Sequence, residues 1–156
     1  MNRLIRWRST LNTHPEGFLC FVRIYLGIGL FAKAIFFMSN TEYFMNLISD
    51  SGELWFAPVM VAHYVILAHF VGGLLLALGF LTRWAAAFQV PALFGAVFYV
   101  HMPKFFAMES RQNFEFSALV LFLLCLFSVY GGGRWSLDAR FEESSDATPE
   151  PQPARA

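Results

Sequence analysis

The chain has 156 residues, of which 57% are hydrophobic, 18% aromatic and only 14% charged, against about 25% charged in an average soluble domain. Nineteen Phe are more than one soluble core of this size hides, and eleven basic against eleven acidic residues leave no net field to steer a charged partner. Composition therefore excludes a disordered chain, a nucleic-acid binder and an ordinary soluble enzyme, and points to a one-domain membrane protein.

Residues 1–17 form a basic arm. Arg3, Leu4, Arg6, Trp7, Arg8 and Leu11 fit a short amphipathic helix lying on a membrane surface, with a frayed tail as the alternative. A bilayer core needs roughly 20 apolar residues per helix, and four stretches within residues 18–143 supply them. The first covers 18–38 and is interrupted by Arg23 and Lys33. It is too long for a signal-peptide core and reads as a retained anchor. The second covers 57–81, with His63 and His69 inside it. The third covers 85–101, placing Trp84 and His101 at its two interfaces, and Pro91 should kink it. The fourth covers 114–130 and opens on Glu115. Residues 144–156 carry three Pro and no large apolar side chain, so that tail should be disordered.

Backbone N–H and C=O groups in lipid must bond within their own segment, so each span is helical. The predicted fold is all-α, an integral membrane four-helix bundle. Six cations (Arg3, Arg6, Arg8, Arg83, Arg134 and Arg140) fall on one side, against Lys104 and Arg111 on the other. Both termini should then be cytoplasmic, with the two longer loops facing outward. Small residues mark the faces that meet: Gly27 with Ala34, Ala68 with Gly72 and Gly73, and Ala92 with Ala96.

An ionisable group in a span costs roughly 2.5–3.5 kcal/mol at the bilayer centre on insertion scales, so each needs a reason. His69, in mid-span on a small-residue face, either ties two helices by one hydrogen bond or serves as a proton relay or quinone contact. His63 is about 120° around the helix from His69 and reads as a headgroup-level side chain. Glu115 and His101 share a depth on neighbouring helices, which allows a hydrogen bond or ion pair. The other reading of Glu115 is a carboxylate at a helix N-terminus. Lys33 completes this polar group in the outer third of the first span. Arg23 either snorkels to inner phosphates or bonds a carbonyl inside the bundle. Cys20 and Cys125 read as packing thiols, and no CxxC is present. There is no metal-ligand spacing, Walker loop, GxGxxG, HExxH or GxSxG. Gly131–Gly133 reads as the flexible end of the fourth span. Arg134 then meets headgroups, Trp135 sits in the aromatic belt and Ser136 caps a short surface helix.

These residues together resemble the DoxX family of four-span bacterial membrane proteins. The run Gly131-Gly132-Gly133-Arg134-Trp135-Ser136-Leu137-Asp138 is similar to the family's closing G-x-G-[RK]-[WY]-S-L-D. Arg23 and Gly27 fit its opening R-x3-G, and Gly72-Gly73, Gly79 and Thr82-Arg83 fit its G-G…G-x-x-T-R. His101 and Asn113-x-Glu115 fit the end of the third span and the start of the fourth. Two positions depart from the pattern. His69 stands where family members usually carry Glu, and the family's late Lys falls at Phe37, with Lys33 one turn earlier. A family Glu–Lys pair is therefore not carried over, and His69 or His101 with Glu115 is the candidate replacement.

The resemblance implies a multi-pass protein of the bacterial cytoplasmic membrane, similar to the small subunit of a thiosulfate:quinone oxidoreductase. The expected role is an accessory or quinone-facing subunit of a membrane oxidoreductase complex. Its partners would be the lipid bilayer and a soluble or membrane oxidoreductase subunit, with homo-oligomerisation left open. Quinone is the cofactor this brings into view. A small proton-coupled transporter using His69 and Glu115 is the alternative. A bis-His haem between His63 and His101 is the least favoured, because the third span has no interior His.

Overall fold

The computed structural model describes residues 15–49, 58–102, 108–133 and 136–140. Among them the chain is helical, without a strand. The helices are α1 (Pro15–Ser39), α2 (Thr41–Ser49), α3 (Pro58–Leu78), α4 (Thr82–His101) and α5 (Met108–Tyr130), followed by a short turn of helix at 137–140. Within α1, α3, α4 and α5 lie four segments long and apolar enough to cross a membrane: Gly17–Ser39, Pro58–Leu78, Thr82–His101 and Arg111–Tyr130. The expected surface helix of residues 1–17 lies almost wholly outside the described residues, as do Arg134, Trp135, Lys104 and the tail 144–156.

The four long helices share one core. Leu26 and Leu30 of α1 meet Leu76 of α3, Ala86 and Leu93 of α4, and Val120, Leu124 and Phe127 of α5. Glycine sets the closest crossing. A Cβ on Gly73 would lie 2.7 Å from the Phe31 backbone N and 2.9 Å from the Gly27 carbonyl, so α1 and α3 touch backbone to backbone. In lipid, where apolar side chains gain little by leaving one solvent for another, such close contact is a main source of helix association.

Two boundaries differ from the sequence reading. The second span stops at Leu78, not residue 81, because Gly79 adopts a left-handed φ of 73°. The Phe80 N–H bonds the Leu75 carbonyl (3.0 Å) and the Gly79 N–H bonds that of Leu76 (3.2 Å), the paired closure of a Schellman motif. The stretch after the first span, read as a loop, contains α2. Phe44 and Ile48 of α2 are buried one turn apart against Phe37 and Ala62, while Glu42, Tyr43 and Asn46 are exposed. The Phe37 and Phe44 rings stack at 4.0 Å. This amphipathic helix covers the end of the bundle formed by the C-terminus of α1 and the start of α3.

Both α3 and α4 contain one turn of π-helix, Ala68–Gly72 and Ala96–His101. Each turn adds a residue to the hydrogen-bonded ladder and rotates the remainder of its helix, and such turns are frequent at functional positions. His69 lies in the first and His101 ends the second.

Candidate functional site

The polar residues gather in three places. The most tightly built is the end of the bundle that carries Arg23. Arg23 is only 1% exposed, and its Nη1 donates to the Gly132 carbonyl at 2.8 Å while Nη2 reaches Cys20 Sγ at 3.6 Å. Of the two expectations for this side chain, the bond to a carbonyl inside the bundle is the one found. Gly79 lies directly against the guanidinium, and a Cβ on Gly132 would sit 2.6 Å from Thr82 Oγ1 and 2.7 Å from Arg23 Nη1. Gly131 and Gly133 take φ of 80° and 70°, values that L side chains rarely adopt. Within the glycine run it is Gly132 that packs against Arg23, while Gly131 lies against Arg83.

Asp138 closes the same end from the other side. Its Oδ1 accepts the Leu81 N–H at 2.6 Å and its Oδ2 the Thr82 N–H at 2.9 Å, while its own N–H donates to the Gly79 carbonyl at 3.1 Å. The carboxylate therefore caps α4 from a residue 56 positions later, next to the positive end of the helix dipole. It also holds Leu81 at φ 49°, a left-handed conformation unfavourable for that residue. Ser136 Oγ accepts the Ala139 N–H at 3.2 Å and caps the short helix at 137–140. Arg83 is exposed and packs along Gly131, with Nε 3.0 Å from where a Cβ would stand. Asp138→Ala is expected to lower stability by about 1–2 kcal/mol, the range of a lost helix cap. Denaturant titration in mild detergent checks this, and Asp138→Asn, which keeps one acceptor, should lose less.

The second place is mid-bundle. His69 is 5% exposed, and its Nδ1 is buried within the bundle. Its ring lies 6.4 Å from that of Phe37, and Lys33 Nζ stands 5.1 Å from the same Phe37 ring. Lys33 and His69 therefore flank the aromatic ring that occupies the family's Lys position. Facing the other side of this turn is Gln89 of α4, a residue absent from the candidates read in the sequence. It is fully buried. Its Nε2 donates to the Ala85 carbonyl at 3.2 Å, and its Oε1 has no partner among the described residues. The signal was present in the sequence, since an amide inside a lipid-spanning segment needs a reason as much as a His does.

The third place is the opposite end. His63 is exposed, and its Nδ1 donates to the Val59 carbonyl one turn earlier at 2.7 Å. Glu115 is exposed and pairs with Arg111 of its own helix at 3.1 Å. His101 is half-buried at the end of α4, and Asn113 is exposed on α5. The structure thus engages Glu115 within α5, and the expected cluster of His69, His101 and Glu115 is divided between mid-bundle and one end.

A groove runs between α3 and α4, with a volume of about 580 Å³. Leu67, Val71, Trp84 and Phe88 are exposed along it, so it opens sideways, toward the surface that apolar spans turn to lipid. Gly72 and Ala85 line its back. Near one end Tyr64 donates from its hydroxyl to the Phe88 carbonyl at 2.6 Å, beside the stretch of α4 that Pro91 deprives of a helical donor. His69, His101 and Glu115 do not line this groove. Among the described residues no three His, Cys, Asp or Glu side chains come together as a metal-holding group.

The DoxX family model matches residues 18–102. The chain belongs to the DoxX family. That match covers the first three spans and α2, and the fold ties the rest of the DoxX protein to them: Gly132 and Asp138, beyond the matched range, bond Arg23, Leu81 and Thr82 within it. No curated protein and no solved structure matches the chain. With four spanning-capable helices, this DoxX protein is a multi-pass membrane protein.

Proposed function

We propose that this DoxX protein is a quinone-facing accessory subunit of an oxidoreductase complex in the bacterial cytoplasmic membrane, with the Arg23 end toward the cytoplasm. The observation that carries the reading is the α3–α4 groove. Its volume of about 580 Å³ falls within the usual range of small-molecule sites. It is walled by apolar side chains and opens sideways, and the buried amide of Gln89 lies behind its Gly72 wall, while His69 faces Phe37 on the other side of α3. An isoprenoid tail needs such a wall, and a quinone head needs a few polar groups behind it. The family resemblance to a quinone oxidoreductase subunit supports the same choice. The transporter reading draws on a relay between His69 and Glu115, and Glu115 is instead held by Arg111 at the exposed end of α5.

Protein purified in mild detergent from its native host is expected to carry isoprenoid quinone in a stoichiometric amount, read by solvent extraction and mass spectrometry. It is also expected to bring down a redox protein. Quinone at the level of bulk lipid carry-over, with no redox partner, overturns the reading.

A further inference from the structure

We propose that Lys33 holds the phosphate of an anionic phospholipid at the corner where α1 meets α2. This site is separate from the α3–α4 groove, which Lys33 does not line.

The first observation is where the ammonium stands. Lys33 lies in the spanning segment Gly17–Ser39, six residues before its end, or about 9 Å along the helix. Its side chain is exposed, so it sits on the outer surface of α1 and not inside the bundle. An ammonium left against lipid without an anion is unfavourable. Its Nζ is 5.1 Å from the centre of the Phe37 ring and 5.5 Å from that of Phe36. Both rings belong to the next turn. Helical side chains ordinarily lean toward the N-terminus. This one runs the other way, toward the end of α1 and the headgroups.

The second observation is that the end of α1 offers it no anion. Among the described residues no carboxylate lies within ion-pair distance of Lys33. Helix-end carbonyls are the usual substitute, and two of them already have side-chain donors. Asn40 Nδ2 donates to the Phe36 carbonyl at 3.0 Å, and Thr41 Oγ1 to that of Met38 at 3.0 Å. The third observation is the surface beside the ammonium. Phe36 and Tyr43 of α2 meet edge to face at 6.2 Å, and both are exposed. Exposed aromatic rings at the end of a span mark the layer where headgroups meet acyl chains.

A phospholipid in that layer lays its chain on the aromatic rings and brings its phosphate to the ammonium. A phosphatidylcholine head carries its own cation, which competes for the phosphate. A phosphatidylglycerol head carries none, so the site favours the anionic lipid.

The test uses the full chain in phosphatidylcholine nanodiscs doped with a photoreactive lipid. The probes are phosphatidylglycerol and phosphatidylcholine with the same diazirine on the acyl chain near the glycerol. The readout is adduct yield on residues 36–43, mapped by peptide mass spectrometry. In wild type, phosphatidylglycerol is expected to label this stretch about fivefold more than phosphatidylcholine, the effect of one cation near a membrane surface. Lys33→Gln and Lys33→Met are expected to label equally with both lipids, and Lys33→Arg to keep the preference. Residue 33 faces outward, so all three variants are expected to fold. Millimolar inorganic phosphate is expected to leave the preference in place. A preference unchanged in both neutral variants overturns the proposal, and so does its loss to inorganic phosphate, which would assign the site to a free anion. Equal labelling in wild type also overturns it, and a membrane protein lost from the purified complex on Lys33→Gln would then supply the anion instead.

Discussion

Gly27→Val is expected to prevent the bundle from assembling, with a loss of more than about 3 kcal/mol. A Cβ at Gly27 would collide with the Ala77 backbone nitrogen and stand 2.7 Å from the Gly73 carbonyl. Those are backbone atoms of α3, which cannot swing aside as a side chain can. The only relief is to push α1 and α3 apart. That separation spreads along the crossing and loosens Leu26, Leu30 and Leu76 of the shared core. Gly29 provides the control, since a Cβ there meets nothing within 4 Å. Gly29→Ala is expected to be neutral, or to stabilise the helix by up to roughly 1 kcal/mol through its better propensity. Unfolding in mixed micelles and the elution profile in detergent would separate the two variants.

Arg23→Leu is expected to destabilise the protein by about 3 kcal/mol. A hydrogen bond involving a charged group is worth about 1.5–3 kcal/mol, and lost packing adds to it. The variant removes the donor from the half-buried Gly132 carbonyl and empties the space against which Gly79 and Gly132 are folded. Arg23→Lys discriminates between a snorkelling cation and an internal tie. A lysine reaches headgroups as readily as arginine does, but one ammonium cannot reproduce the planar fork that spans Gly132 and Cys20. The lysine variant is therefore expected to resemble Arg23→Leu in denaturant titration. Full recovery by lysine would contradict the internal tie.

Much of the architecture was legible in the sequence, for a physical reason. Four apolar runs of spanning length have to be helices once lipid offers the backbone no partners. Local boundaries were less legible because their causes are remote or short. The third span begins at Thr82, and its cap is the Asp138 carboxylate arriving from beyond α5, with no local mark. Helix α2 is nine residues long, too short to stand alone, and exists because Phe44 and Ile48 find Phe37 and Ala62. The site was less legible again. The histidines and Glu115 stand out in a span by their charge, yet the i, i+4 spacing of Arg111 and Glu115 is the feature that ties this carboxylate to its own helix. Gln89 escapes notice because an uncharged amide barely alters the hydropathy of a span, yet it is fully buried with a carbonyl oxygen that no described residue bonds. The quoted family residues divide by role: Arg23, Gly79, Gly132, Ser136 and Asp138 tie one end together, and Gly72 backs the groove.

If this scaffold holds a quinone between α3 and α4, photo-crosslinking with a photoreactive ubiquinone analogue in native membranes, mapped by peptide mass spectrometry, tests it most directly. Adducts are expected on the groove residues of α3 and α4, such as Leu67, Val71, Trp84 and Phe88, and free quinone should compete them away. Adducts centred instead on His101 and Glu115, or labelling no greater than that by a photoreactive fatty acid, would contradict quinone binding in the groove.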